Sequence, residues 1–298
     1  ALDNIGIAVY AFFEGPAAST NIKATPGAGG ALHSTLTFTL PTTTFKGDAL
    51  NEITSVEVRR NGKVIATLEG KPGEAITYED DTVENGEASY TIVCYNAAGQ
   101  GAPADVTIWV GLDIPVAPVI VECHQTADTK PAVSWNAVPA TGAHGGYVVP
   151  EEITYTLCKY NAYNWDNHWE QVATTKDFSA VDDTYFSYWG QANETYALFA
   201  TNEAGISEGT QFHITLGALW ETPYEESYAW AFASKDPWTL FASTYDYAWS
   251  ISAGSGLAVK PYDEDGGMLY YTYKGEDSNE QIMQGPRVAL STLTKAEL

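Results

Sequence analysis

The run YNAYNWDNHWEQV (160–172) gathers the densest group of side chains in the chain that could recognise a ligand. Tyr163, Trp165 and Trp169 bring broad aromatic faces, and Asp166, Asn167 and His168 set hydrogen-bonding groups between them. That mixture suits carbohydrate, because rings stack on the apolar faces of sugars while polar side chains bond the hydroxyls. Tyr163, Trp165, Asp166, His168 and Trp169 are therefore the candidate ligand-binding residues. The run joins two strand-like segments, which places it at a hairpin tip. Two Trp and a Tyr in solvent are costly unless they cover something. Either they form a carbohydrate platform, or the loop folds onto its own domain or the adjacent segment.

A second place is the acidic turn Asp263-Glu264-Asp265-Gly266-Gly267. Hard oxygen ligands on a Gly-containing turn suit Ca²⁺, with Asp263 and Asp265 as ligands, although the spacing is not that of an EF-hand loop. A solvated acidic turn is the competing reading. No other cofactor is called for. Catalysis finds little support. His33, His124, His144, His168 and His213 fall in no nucleophile-elbow or zincin pattern, and HGG (144–146) matches neither. The pairs Glu225/Glu226 and Asp182/Asp183 are adjacent, so on a strand they point to opposite faces, a poor start for acid–base work across a substrate. The expectation is a non-enzyme.

The bulk numbers agree with a recognition or spacer protein. Net charge is −24, from 38 acids against 14 bases. That field repels a phosphate backbone, so nucleic acid is excluded as a partner, and an acidic membrane surface is disfavoured too. No apolar run reaches the roughly 18 residues of a membrane helix, so direct membrane insertion of this chain is not expected. Three cysteines, Cys94, Cys123 and Cys158, form no metal pattern and no dense disulfide framework.

The elements that must position these groups are strands. Helical periodicity is nearly absent, and short alternating runs such as LTFTLP (36–41), YTIVCYN (90–96) and YALFATN (196–202) are bounded by Gly, Pro, Asn and Asp. An internal repeat organises them. SYTIVCYNAAGQG (89–101) aligns with TYALFATNEAGIS (195–207), so Tyr90, Asn96 and Gly99 match Tyr196, Asn202 and Gly205 at an offset of 106. Upstream, NEITSVEVRRNG (51–62) matches EEITYTLCKYNA (151–162) at an offset of 99 or 100. The difference falls in the aromatic run, so the second repeat carries six or seven extra residues where the first has a tight Asn61-Gly62 turn. Strand parity turns Cys94 inward and Cys158 toward the sheet exterior. The joint GLDIPVAP (111–118) holds two prolines and predicts a semi-rigid linker.

The repeat resembles the fibronectin type III family. The resemblance rests on Trp135 of the second strand, on the strand that starts at Tyr90 or Tyr196, and on the NxAG turn that follows it. Phe38 stands in the first repeat where the family has the strand Trp. The resemblance implies that Tyr90 and Tyr196 are tyrosine-corner residues whose hydroxyls bond back to the chain. It implies an all-β fold of two tandem Greek-key β-sandwiches, at 17–111 and 112–217. Residues 1–16 read as the trailing strand or linker of a preceding domain. Residues 218–298 are similar to the start of the jelly-roll domains of cleaved-adhesin and choice-of-anchor J proteins of Bacteroidetes, through Glu226-Ser227-Tyr228 and the acidic Gly turn. That likeness implies a partial jelly-roll-like segment and adds Glu226 to the Ca²⁺ ligands. Together the resemblances imply a secreted or cell-surface, outer-membrane-associated modular protein, acting as a spacer or adhesion module with glycans or host and surface proteins as partners. The rival readings are a carbohydrate-binding protein using 160–172 and an accessory region of a secreted protease or glycosidase.

Overall fold

The computed structural model describes residues 14–161, 163–186, 191–219, 221 and 287–289, together with the backbone of four short strands between 239 and 284. The candidate Ca²⁺ ligands Glu226, Asp263 and Asp265, and most of the segment 1–16, lie outside the described residues. The chain divides into two compact units. One comprises 1–117 with 138–154 and 200–208, and the other 118–137, 155–199 and 209–298.

The first repeat holds seven strands: β1 (Thr20–Pro26), β2 (Ser34–Thr39), β3 (Ser55–Arg60), β4 (Lys63–Leu68), β5 (Ala75–Asp80), β6 (Gly86–Asn96) and β7 (Gly99–Val110). They pair antiparallel in two sheets, ordered β1-β2-β5 and β4-β3-β6-β7. Alternation in the sequence decides which face of each strand turns inward. In β2, Ser34, Leu36 and Phe38 are buried, while the intervening threonines are not. In β6, Ala88, Tyr90, Ile92 and Cys94 form the buried face. These side chains meet Val56 and Val58 of β3 in one apolar cluster. Burying each large aliphatic side chain contributes about 1.5–3 kcal/mol. The β3–β4 hairpin closes through Asn61 and Gly62, both at positive φ (51° and 78°), as the right-handed twist of a two-residue turn requires.

Strands β8 (Ile120–Gln125), β9 (Pro131–Trp135), β10 (Thr154–Tyr160), β11 (Trp169–Thr175), β12 (Ser179–Val181), β13 (Ala192–Asn202), β14 (Gly205–Ile206) and β15 (Thr210–Leu216) repeat this order. One sheet runs β12-β9-β8 and the other β11-β10-β13, with β14 and β15 both on β13. The buried side chains of the second unit include Val133, Trp135, Tyr155, Leu157, Tyr196, Leu198 and Leu216, and the Trp135 ring lies 5.2 Å from that of Tyr155. Both repeats are thus fibronectin-III-like Greek-key arrangements: a three-stranded sheet against a longer one, all antiparallel.

The remaining strands are β16 (Thr239–Ala242), β17 (Trp249–Ser252), β18 (Met268–Tyr271) and β19 (Gln281–Gln284). They form two antiparallel ladders, β16 with β19 and β17 with β18, so this segment is also β. Among the described residues no helix is long and apolar enough to cross a membrane.

Cys94 sits in the core, as its parity predicts. Cys158 is buried too, although its parity is opposite to that of Leu157. The register slips opposite these two residues, Leu157 pairing with Ala173 and Cys158 with Gln171, so the extra residue of the bulge is Val172 on β11 and β10 itself alternates without a break. All three cysteines are free thiols.

Candidate functional site

Tyr160 and Trp169 are the last cross-strand pair of the β10–β11 hairpin. In the first repeat the corresponding pair, Arg60 and Lys63, encloses two residues. Here the loop is 161–168, and asparagines build it. The main-chain N–H of Asn161 donates to the His168 carbonyl at 2.7 Å and closes the loop. Asn161 Oδ1 accepts the Tyr163 N–H at 3.0 Å, Asn164 Oδ1 that of Asn167 at 3.2 Å, and Asn167 Oδ1 that of Trp169 at 3.1 Å. Asparagine does this because its short side chain reaches the main chain two or three residues on. Glu170 Oε1 then accepts the side-chain amides of both Asn161 (2.8 Å) and Asn164 (3.2 Å), tying the loop to the strand.

On this frame Tyr163 is 90% and Trp165 85% exposed. Their own repeat does not cover them. Behind them the rings form a line. Trp165 meets His168 edge-on at 6.2 Å, His168 lies 5.4 Å from Tyr160, Tyr160 meets Trp169 edge-on at 5.4 Å, and Trp169 meets Phe199 of β13 at 6.5 Å. Edge-to-face spacing of this kind is the favoured arrangement of aromatic pairs. Of the five candidate residues, Trp165, His168 and Trp169 are brought into one line, Tyr163 projects beside it, and Asp166 is exposed on the same loop. Tyr160 and Phe199 are additional members. Phe199 has strand parity opposite to the inward-facing Tyr196 and Leu198, and that was its signal in the sequence. Glycine at 209 leaves room for it, since a Cβ there would meet the Phe199 ring at 2.5 Å.

Two groups of buried acids were not anticipated. Tyr90 donates from its hydroxyl to Asp80 Oδ2 at 2.9 Å, with Ser34 Oγ at 2.7 Å. Tyr196 donates to Asp182 Oδ2, also at 2.9 Å. The tyrosine hydroxyls therefore bond to carboxylates rather than to the main chain. The sequence carries the signal twice, as Asp80-Asp81-Thr82 and Asp182-Asp183-Thr184. In each, Oδ1 of the first aspartate accepts the N–H and the hydroxyl of the threonine two residues on. Arg60 adds an ion pair to Asp80. Burial pushes the Asp80 carboxyl up, but the bonds from Thr82, Arg60 and Tyr90 outweigh it and hold it below its ordinary value. Burial and the neighbouring Asp80 push Tyr90 up to about 12.

The other acid is Asp113, fully buried in the first unit. Its Oδ2 accepts the N–H groups of His144 (2.7 Å) and Gly146 (3.1 Å), and its Oδ1 lies 2.7 Å from His144 Nδ1. The His144 ring stacks on Trp109 at 4.3 Å. A Cβ at Gly146 would run into Trp109 and Asp113, so HGG (144–146) is a clamp for a carboxylate. Burial raises the Asp113 carboxyl, and the bonds from His144, Gly146 and Ile114 more than offset it, leaving it below its usual range. Asn96 and Asn202, the repeat landmarks, have matching tasks. Asn96 donates to the Glu14 carbonyl at 3.0 Å and Asn202 to the Asp113 carbonyl at 2.8 Å. Among the described residues no three His, Cys, Asp or Glu side chains gather as for a metal ion.

No family model matches the chain, and no curated protein does. Among solved structures it is similar to the crystal structure of the chicken CNTN1 FN1-FN3 domains. The identity is 15%, over 70% of this chain and 68% of that one, with a TM-score of 0.27. At that score the likeness bears on no activity, and the architecture rests on the strand order described above.

Proposed function

We propose that this is a non-catalytic modular protein of the secreted or cell-surface kind, whose second repeat recognises carbohydrate through the 160–169 hairpin. What supports the reading is the pair Tyr163 and Trp165, 90% and 85% exposed on a loop held by its own asparagines. Rings so exposed are unfavourable in the free protein, and contact with a sugar face removes them from water without new ordering of the loop. The remaining strands act as the spacer that holds the hairpin out. The net charge of −24 favours neutral over polyanionic glycans at this surface.

A glycan array probed with the full chain tests this. Binding is expected, and Tyr163→Ala/Trp165→Ala is expected to abolish it while far-UV circular dichroism and melting stay unchanged. Signals that survive the double substitution, or an array with none at all, would show the hairpin to be part of a spacer alone.

A further inference from the structure

The chain has three arginines, and acids outnumber bases 38 to 14. Arg59 pairs with Glu57 and Arg60 with Asp80. Arg287 is held differently, by neutral groups. Its main-chain N–H donates to Gln191 Oε1 at 2.7 Å, and its carbonyl accepts from Gln191 Nε2 at 2.7 Å. Gln191 is itself buried and also donates to the Ala218 carbonyl. The side chain is clamped as well: Nη1 donates to Gln125 Oε1 at 3.1 Å and to the Thr215 carbonyl at 3.3 Å. Gln125 Oε1 is fixed in turn by the Gly217 N–H at 2.6 Å. Among the described residues no carboxylate pairs with this guanidinium, and its Nε and Nη2 have no hydrogen-bond partner.

The half-buried Arg287 lines a cavity of about 320 Å³ between β8 and β15, with Cys123, His124, His213 and Thr215 also on its walls. That volume is at the lower end of small-ligand sites. Burial pushes the His213 imidazole down, and its Nδ1 lies 2.9 Å from Thr195 Oγ1, so it enters as a neutral wall. A guanidinium positioned by amides on one nitrogen keeps an edge of paired donors. Such an edge matches the two oxygens of a carboxylate, which is the geometry of strong bidentate pairs.

We propose that this cavity binds a ligand carboxylate on the Nε/Nη2 edge of Arg287. The protein's overall negative charge works against polyanions. Exposed charges farther than a Debye length of about 8 Å are screened at physiological salt, Glu122 beside the cavity is paired with His124, and among the described residues no carboxylate pairs with this guanidinium. The ligand is therefore a monoanion, whether an acidic sugar or the C-terminus of a peptide.

Calorimetry on the full chain with four probes distinguishes these sources: glucuronate, N-acetyl-dialanine, its amide, and inorganic phosphate. At least one carboxylate is expected to bind saturably, with the amide and phosphate weaker. Arg287→Gln is expected to weaken that binding by about ten-fold or more, the loss of a charge-assisted bond. Arg287→Lys, which keeps the charge without the fork, should weaken it too. Lys63→Ala, which removes an exposed cation of the first repeat, should leave it unchanged, which separates this site from a general effect of charge. Should Arg287→Gln fail to fold by circular dichroism, Arg287→Lys carries the comparison. The proposal is overturned if neither carboxylate binds, if phosphate or the amide binds as tightly, or if both arginine variants that fold bind like the parent.

Discussion

Asp80 and Asp182 occupy corresponding places in the two repeats, yet their environments differ in one respect that mutation can read. Asp80 keeps Arg60 when the Tyr90 hydroxyl is removed. Among the described residues no cation pairs with Asp182, so Tyr196→Phe strips Oδ2 of the donor it has. Leaving a buried acceptor unmet costs about 1–3 kcal/mol, more for a charged one. Tyr196→Phe is therefore expected to lower stability toward the upper end of that range and Tyr90→Phe toward the lower, as read by urea denaturation. The acids also set a pH dependence. Asp80 and Asp113 are held below their ordinary values in the fold. Their contribution is thus fully present above the unfolded value of about 3.9 and is lost as pH falls through the lower folded values. Asp113→Asn should cost about 1–3 kcal/mol at neutral pH and flatten the acid limb of the stability curve. Reading these residues from the sequence failed for a physical reason. Asp182/Asp183 looked like an adjacent carboxylate pair because local spacing shows parity, not whether a tyrosine fourteen positions on reaches the first oxygen.

The β10–β11 hairpin was the most legible element. The change of offset between repeats located its insertion, and the pairs Arg60–Lys63 and Tyr160–Trp169 place the extra residues between matching strand ends. Replacing 161–168 by Asn-Gly should leave the register intact. The shorter closure should raise stability by about 1 kcal/mol, since each halving of loop length is worth about 0.6 kcal/mol. Thermal melting checks the gain, and the glycan array should go dark. A rise in melting temperature with binding retained would place recognition elsewhere. Other elements were less legible. β7 is continuous over Gly99–Val110, but its counterpart breaks into β14 and β15. At the break Ser207 turns its hydroxyl to the Ala200 N–H at 2.9 Å, a side-chain bond replacing a ladder bond. The bulge at Val172 of β11 escaped detection likewise, because alternation assumes an unbroken ladder.

For the molecule as a whole, a charge of −24 is the dominant fact in solution. Self-repulsion weakens the compact state and is screened by salt, so the melting temperature at neutral pH should rise by a few degrees as sodium chloride goes from low to physiological. Differential scanning calorimetry would show it, and a flat or falling dependence would mean that local ion pairs outweigh the global field. The sequence alone determined the all-β class, the twofold repeat and the place of the aromatic insertion. Those follow from alternation and from Tyr, Asn and Gly at a constant offset, which are local or periodic signals. Only the tertiary structure decided what becomes of the charged groups: Asp80 clamped by Arg60, Asp113 wrapped by HGG, and Arg287 set by Gln125 and Gln191 from far along the chain. A charge's state depends on which partners replace its lost water, and those partners come from strands that only folding brings together.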